Sequence, residues 1–167
     1  MFVASSVVVM ADTDIVPMQQ HDPRVHLALV NQVRASRGLN PLVLSSCLQN
    51  AAMFHSNYMA SIHQMTLFDT YGNTYNLVSA YGQISSSYGI NVASGYVSDN
   101  QVVYFYSQNY SNLQVLLNPL ARELGVGVVF DGMNYYWTTL ITDVIVMLDL
   151  LIIDSHNSLE YIINYYL

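Results

Sequence analysis

At 167 residues, the chain is long enough for one domain that buries a sizeable core without staples. It is 53% hydrophobic and only 9% charged, contains no lysine, and sets four arginines against eleven acids for a net charge of -7. This composition excludes the basic stripe that a nucleic-acid partner needs, a phosphate-loop lysine and a Schiff-base lysine, and the single cysteine, Cys47, cannot form an internal disulfide.

Residues 1–23 read as a signal remnant and leader loop. A short apolar run over 2–10 ends at Val9-Met10-Ala11, which offers a cleavage point that would leave Asp12 as the new terminus. No basic residue precedes the run, as one normally does in an export signal, so an ordered first strand is the competing reading. Pro17 and Pro23 make 12–23 a loop.

From Arg24, residues Leu27, Val30, Val33 and Arg34 recur at helical spacing until Gly38, with Pro41 just beyond, and so predict an amphipathic helix. Ser45 and Ser46 introduce a second helix with Leu48, Ala52, His55, Met59 and Ile62 on one stripe, whose alanines permit close packing. Residues 66–88, rich in Tyr, Ser, Gly and Asn, read as a long surface excursion with a turn at 69–73 and at most a short helix over 75–81. A short strand is predicted over 91–96. Ser98 then caps a helix over 99–108 that turns Val102, Val103, Phe105 and Tyr106 inward. Alternation over 124–130, a turn at Asp131-Gly132 and a second run over 134–142 predict a β-hairpin.

The tail, 143–167, differs in character. Its apolar run over 144–153 carries Asp149 and has half the roughly 20 residues of a membrane helix, so no membrane span is expected. Burial against the domain or a partner, or self-association through the tail, is expected instead.

These segments resemble, in order and spacing, the CAP superfamily of cysteine-rich secretory, antigen 5 and pathogenesis-related proteins. The resemblance covers residues 24–142. It is carried by Leu29-Val30-Asn31-Gln32-Val33-Arg34-Ala35 with Gly38-Leu39 and Pro41-Leu42, by Ala51-Ala52 with His55 and Met59-Ala60, and by residues 89–93. Leu117-Asn118-Pro119 and Gly125-Val126-Gly127 with Tyr136-Trp137-Thr138 complete it. It implies an α+β fold, an α-β-α sandwich with a small antiparallel sheet between helical layers, in a secreted, extracellular binding protein of the disulfide-poor microbial or fungal-like branch.

Relatives can hold a divalent metal with two histidines and acidic residues. Here the family's Met-Thr-His reads Met65-Thr66-Leu67, its Gly-Glu-Asn reads Gly89-Ile90-Asn91, and the last histidine falls at Asn112. Leu67 and Ile90 offer no donor atoms and Asn112 at most one weak contact, so the metal site is degenerate and no metal or other cofactor is expected. An apolar cavity floor formed by Leu67, Ile90, Tyr106 and Asn112 would favour an uncharged ligand or ordinary packing.

Other chemistry is sparse. His55 and His63 lie eight apart, about 12 Å along a helix, too far to share an ion, so His55 is expected as a hydrogen-bonded residue beside the core. No Gly-x-Ser-x-Gly or His-Glu-x-x-His motif occurs, and no enzyme is expected. Cys47, at a helix start, reads either as an activated thiol or as a buried inert one. The fourteen tyrosines read equally as a ligand surface or as cover for core edges, and Asn109-Tyr110-Ser111 is a glycosylation sequon. The leading expectation is lipid binding, a non-catalytic module for an apolar small molecule such as a sterol or fatty acid. The alternative is a structural or protein-interaction role for the Tyr-rich loops or the tail.

Overall fold

The computed structural model describes residues 21–144, so the 1–20 segment and most of the tail lie outside the described residues. The fold is an α-β-α sandwich around a four-stranded mixed sheet of order β1-β3-β4-β2. Helix α1 (Pro23–Ala35) starts where Asp22 accepts from the Arg24 amide through its side chain and Pro23 takes a first-turn position that needs no donor. It ends before Gly38, whose φ of 70° suits a residue without Cβ. Strand β1 (Val43–Leu44) pairs parallel to β3 (Glu123–Phe130), and its two residues are too few to show an alternating pattern. Helix α2 spans Ser46–Ser61 and α3 Thr74–Ala80. Strand β2 (Tyr88–Ser94) lies at the edge beside β4 (Tyr135–Thr142), which also pairs antiparallel to β3. Between them in sequence come α4 (Asp99–Gln108) and α5 (Tyr110–Leu116).

Strand periodicity divides the core. Leu124, Val126, Trp137 and Ile141 face α1, α4 and α5, where Val30, Val102, Val103, Tyr106 and Leu116 complete one cluster. Leu140, with Ile90 packed beside it, faces α2 and α3, meeting Leu48, Ala51, Ala52, Leu77 and Val78. Met59, Ala60, Val92 and Tyr136 extend that second layer.

The alanine stripe of α2 and the glycines of β3 explain each other. A Cβ on Gly125 would lie 2.1 Å from the Leu48 carbonyl carbon, and one on Gly127 would lie 2.4 Å from that of Ala52. Only glycine lets the helix backbone rest directly on the strand. Buried Ser56 locks the contact, donating to the Gly127 carbonyl at 3.0 Å and lying 2.8 Å from Thr138 Oγ1.

The expected sandwich is present, with differences in detail. The sheet is mixed because β1 joins it in parallel, and β2 begins at Tyr88 rather than 91. Residues 110–116, not predicted as helix, form α5, whose first turn is capped by Asn109 Oδ1 accepting from the Asn112 amide.

Candidate functional site

On the layer of α1 and α4, the helices flank an open, shallow groove of about 500 Å³. Leu29, Gln32 and Val33 line it from α1, and Asn100, Gln101, Val103, Tyr104 and Ser107 from α4. Its walls pair apolar side chains with amides and hydroxyls and include no charged group. The volume falls within the ordinary range for small-molecule sites.

Beneath the same helices runs a buried polar line. The Thr139 hydroxyl is 3.0 Å from His26 Nε2, and His26 Nδ1 is 3.0 Å from Asp99 Oδ1, which His21 Nδ1 also approaches at 2.9 Å. A neutral His26 satisfies both contacts by donating from Nδ1 to the carboxylate and accepting at Nε2 from Thr139. Burial drives its pKa below the usual histidine range, with Asp99 opposing and His21 adding to the fall. Burial alone would raise the Asp99 carboxyl, but hydrogen bonds and charge from His21 and His26 bring it well below the ordinary carboxylate range. Trp137 completes the wall: its ring stacks on His26 at 6.2 Å, and its Nε1 donates to the Tyr96 carbonyl at 2.7 Å.

The order Thr139, His26, Asp99 is that of a hydrolytic relay. Yet Thr139 and His26 have no exposed surface, and the hydroxyl is closed to any substrate in this geometry. The line ties α1, α4 and β4 together.

Arg34, on the same helix, is a buried cation. Its Nε donates to the Asn40 carbonyl at 2.9 Å, and its Nη1 to the carbonyls of Leu116 at 2.7 Å and Asn118 at 2.9 Å, which closes the C-terminal end of α5. Burial, then the neighbouring Arg122, lowers its pKa, and Nη2 has no partner among the described residues.

A model of the cysteine-rich secretory protein family, CAP, matches residues 27–143. The chain belongs to the CAP family. This CAP domain is 29% identical over 108 residues to the uncharacterized protein YkwD of Bacillus subtilis (strain 168), a match covering 62% of the chain and 41% of that protein. It shares its fold with an extracellular protein containing an SCP domain from Bacillus anthracis str. Ames, with TM-score 0.66, 20% identity and coverage of 72% of this chain and 39% of that one. An outer surface protein from Borrelia burgdorferi is similar at TM-score 0.68 and 16% identity, over 73% of this chain and 92% of the other. The chain therefore spans about two fifths of the two Bacillus proteins it matches.

The CAP positions expected to floor one cavity do not do so together. Leu67 is exposed in the loop after α2, and Ile90 sits half-buried on the α2 side of the sheet. Tyr106 is fully buried on the opposite side, so the sheet separates it from Ile90. The Tyr106 hydroxyl is buried without a hydrogen-bond partner among the described residues, and burial raises its pKa. Asn112 belongs to α5, and its carbonyl accepts from Asn91 Nδ2 at 2.9 Å, which fastens the helix to the edge strand. None of the four lines the groove between α1 and α4.

The donor set also does not fit the family's metal. Leu67 and Ile90 carry no donor atoms, and the two histidines that precede them in sequence, His55 and His63, are committed elsewhere. His55 Nδ1 lies 2.7 Å from Asp69 Oδ2, and its Nε2 donates to the Thr66 carbonyl at 2.9 Å. His55 is thus the hydrogen-bonded core-side residue its stripe position predicted. His63 Nδ1 is bonded to Asp131 Oδ2 at 2.7 Å. Asp131 accepts foremost from the Asn134 amide, then from His63 and the Met133 amide, which hold its carboxyl below the ordinary range. Among the described residues, no three His, Cys, Asp or Glu side chains come together as a ligand set. Cys47 is half-buried at the second position of α2.

The sequence reading missed His26 and Asp99. A signal for the first was present: His26, Val30 and Arg34 recur every four residues on the inward stripe of α1. Nothing local ties Asp99, 73 residues away, to it.

Proposed function

We propose that this CAP domain is a non-catalytic, extracellular binding module that takes an uncharged apolar small molecule in the groove between α1 and α4. The observation that carries the reading is the groove itself, about 500 Å³ with Leu29, Val33 and Val103 on its walls and no charged lining group. A carboxylate headgroup would meet no cation there, whereas Gln32, Asn100, Gln101 and Ser107 suit a hydroxyl or ester end. The ligand class, a sterol or fatty acyl compound, is what the family resemblance implies. Export is supported by the relatives named as extracellular and outer surface proteins, and no described helix is long and apolar enough to cross a membrane.

The test is native mass spectrometry of the full chain, followed by equilibrium binding of a sterol, a fatty acid and the matching fatty alcohol. One bound apolar molecule is expected, with the alcohol preferred over the acid. Val33→Glu should weaken binding at least about tenfold, the equivalent of 1.4 kcal/mol, while leaving the circular dichroism spectrum intact. Binding that is absent in the parent protein, or unaltered in this variant, overturns the proposal.

A second reading, a protein-interaction role, is favoured by the loop between α2 and α3, which exposes Met65, Leu67 and Phe68 together. Partner capture that is lost in Phe68→Ser but kept in Val33→Glu would support it.

A further inference from the structure

The point at which the chain leaves the sheet is fixed more firmly than a strand end requires. Beyond Thr142, the Asp143 amide donates to the Ser87 carbonyl at 2.9 Å. Its carboxylate accepts from the amides of Ser86 at 2.9 Å and Ser87 at 3.1 Å and from the Ser86 hydroxyl. Asn118 Nδ2 holds Ser87 in turn at 2.8 Å.

Near this exit, several apolar side chains stand exposed. Tyr88 pairs in register with Thr142, Ile84 is two residues from Ser86, and Tyr75 of α3 brings its ring within 5.8 Å of that of Tyr88. These side chains are 45%, 55% and 49% exposed, and Val144 at the exit is 41% exposed. The patch flanks β2, the edge strand of the sheet.

The next nine residues, 145–153, are Ile, Val, Met and Leu apart from Asp149. They begin at this patch and reach at most about 30 Å when extended, so they can cover it without leaving the domain. We infer that residues 145–153 dock in cis on the surface formed by Ile84, Tyr75 and Tyr88, and that the Asp143 clamp aims them there. The apolar run then shields the edge beside β2, and the aromatic pair loses its exposure to water in the same step. This surface lies away from the groove between α1 and α4, so the inference stands or falls independently of ligand binding.

The test is nitration of tyrosines in the full chain, read residue by residue by mass spectrometry, against the full-length Leu148→Asp/Leu151→Asp variant. The variant is expected to nitrate several-fold faster at Tyr75 and Tyr88, with Tyr110 unchanged as an internal reference. The protection in the parent chain should persist on dilution over two decades. Equal rates in the two proteins overturn the inference, as does protection that disappears on dilution, which would assign the surface to a second copy. A reciprocal variant, Ile84→Asp/Tyr88→Ser, leaves the tail untouched and should raise protease cleavage within 145–153. Unchanged cleavage there also overturns it.

Discussion

Replacing Gly127 by alanine puts the central packing of this domain to a quantitative test. The added Cβ would lie 2.4 Å from both the Ala52 carbonyl carbon and the Met53 amide nitrogen, and 2.5 Å from the Ala52 oxygen. All three atoms belong to the backbone of α2, so no rotamer change relieves the contact. The helix must lift by about 1 Å to restore van der Waals distance. Overpacking of this kind costs about 1–3 kcal/mol, and the Ser56 bond to the Gly127 carbonyl, worth about 1 kcal/mol, is stretched by the same shift. A loss of about 2–4 kcal/mol is expected, a large fraction of the roughly 5–15 kcal/mol typical of a domain. Gly89→Ala is the control. Its Cβ would meet Val115 Cγ1 at 2.8 Å, a side-chain methyl that can rotate away. About 1 kcal/mol is expected there. The assay is urea unfolding followed by fluorescence of Trp137, the single tryptophan and a buried one. Gly127→Ala within about 1 kcal/mol of the parent protein, or no worse than Gly89→Ala, would refute the account of helix on glycine.

Acid should destabilise the fold through His26. Its folded pKa is lowered, so below about pH 6.5 the unfolded chain takes up a proton that the folded chain resists, and stability falls by up to about 1.4 kcal/mol per pH unit. Asp99, with a depressed folded pKa, acts in the same direction at lower pH, its contribution being present above about pH 4 and lost on further acidification. Urea midpoints at pH 7 and pH 5.5 should therefore differ more in the parent protein than in His26→Asn, and equal differences would count against a neutral buried His26. Arg34→Met removes the donors to the carbonyls of Asn40, Leu116 and Asn118 and should cost about 3 kcal/mol in urea unfolding. Arg34→Lys should recover only part of it, because one ammonium cannot reproduce the planar fork.

The parts of the fold that were legible in the sequence are those in which local pattern and tertiary demand coincide. The stripe of α1, the alanines of α2, the glycines of β3 and the Asp131-Gly132 turn each report their own packing. Strand β1 was not legible because two residues carry no period, and α5 because seven residues make barely two turns. The start of β2 is legible from the resemblance over 89–93 but not from the local pattern, which begins the strand at 91. Tyr88-Gly89-Ile90 resembles the Tyr-, Ser- and Gly-rich excursion before it, and only pairing with residues 140–142 of β4 makes it strand. Candidate site residues were harder still. Arg34 lies on the inward stripe, but two of its three acceptors come from positions 82 and 84 residues away. The groove belongs to two helices whose facing residues share no motif.

The positions at which the resemblance would place a metal bear on how the loop after α2 is ordered. The resemblance to CAP relatives implies that an ion bound by the loop after α2 would draw that loop toward the sheet edge and α5. In this chain, Leu67 and Ile90 have no donors to give, so the same loop must be ordered by other means. His55 supplies them: from α2 it grips Asp69 and the Thr66 carbonyl at once, with the His55 and Asp69 side chains almost fully buried. Asp69 Oδ1 passes the constraint on by accepting from the Tyr71 amide at 2.8 Å, and the Tyr71 ring packs edge-on against Phe54 of α2 at 5.2 Å. The loop is therefore bound to the α2 layer and leaves Leu67 facing water. The uncharged groove lies across the sheet, between α1 and α4. A ligand there would touch none of the positions at which the resemblance would place a metal, and its binding should be indifferent to added zinc or to chelator.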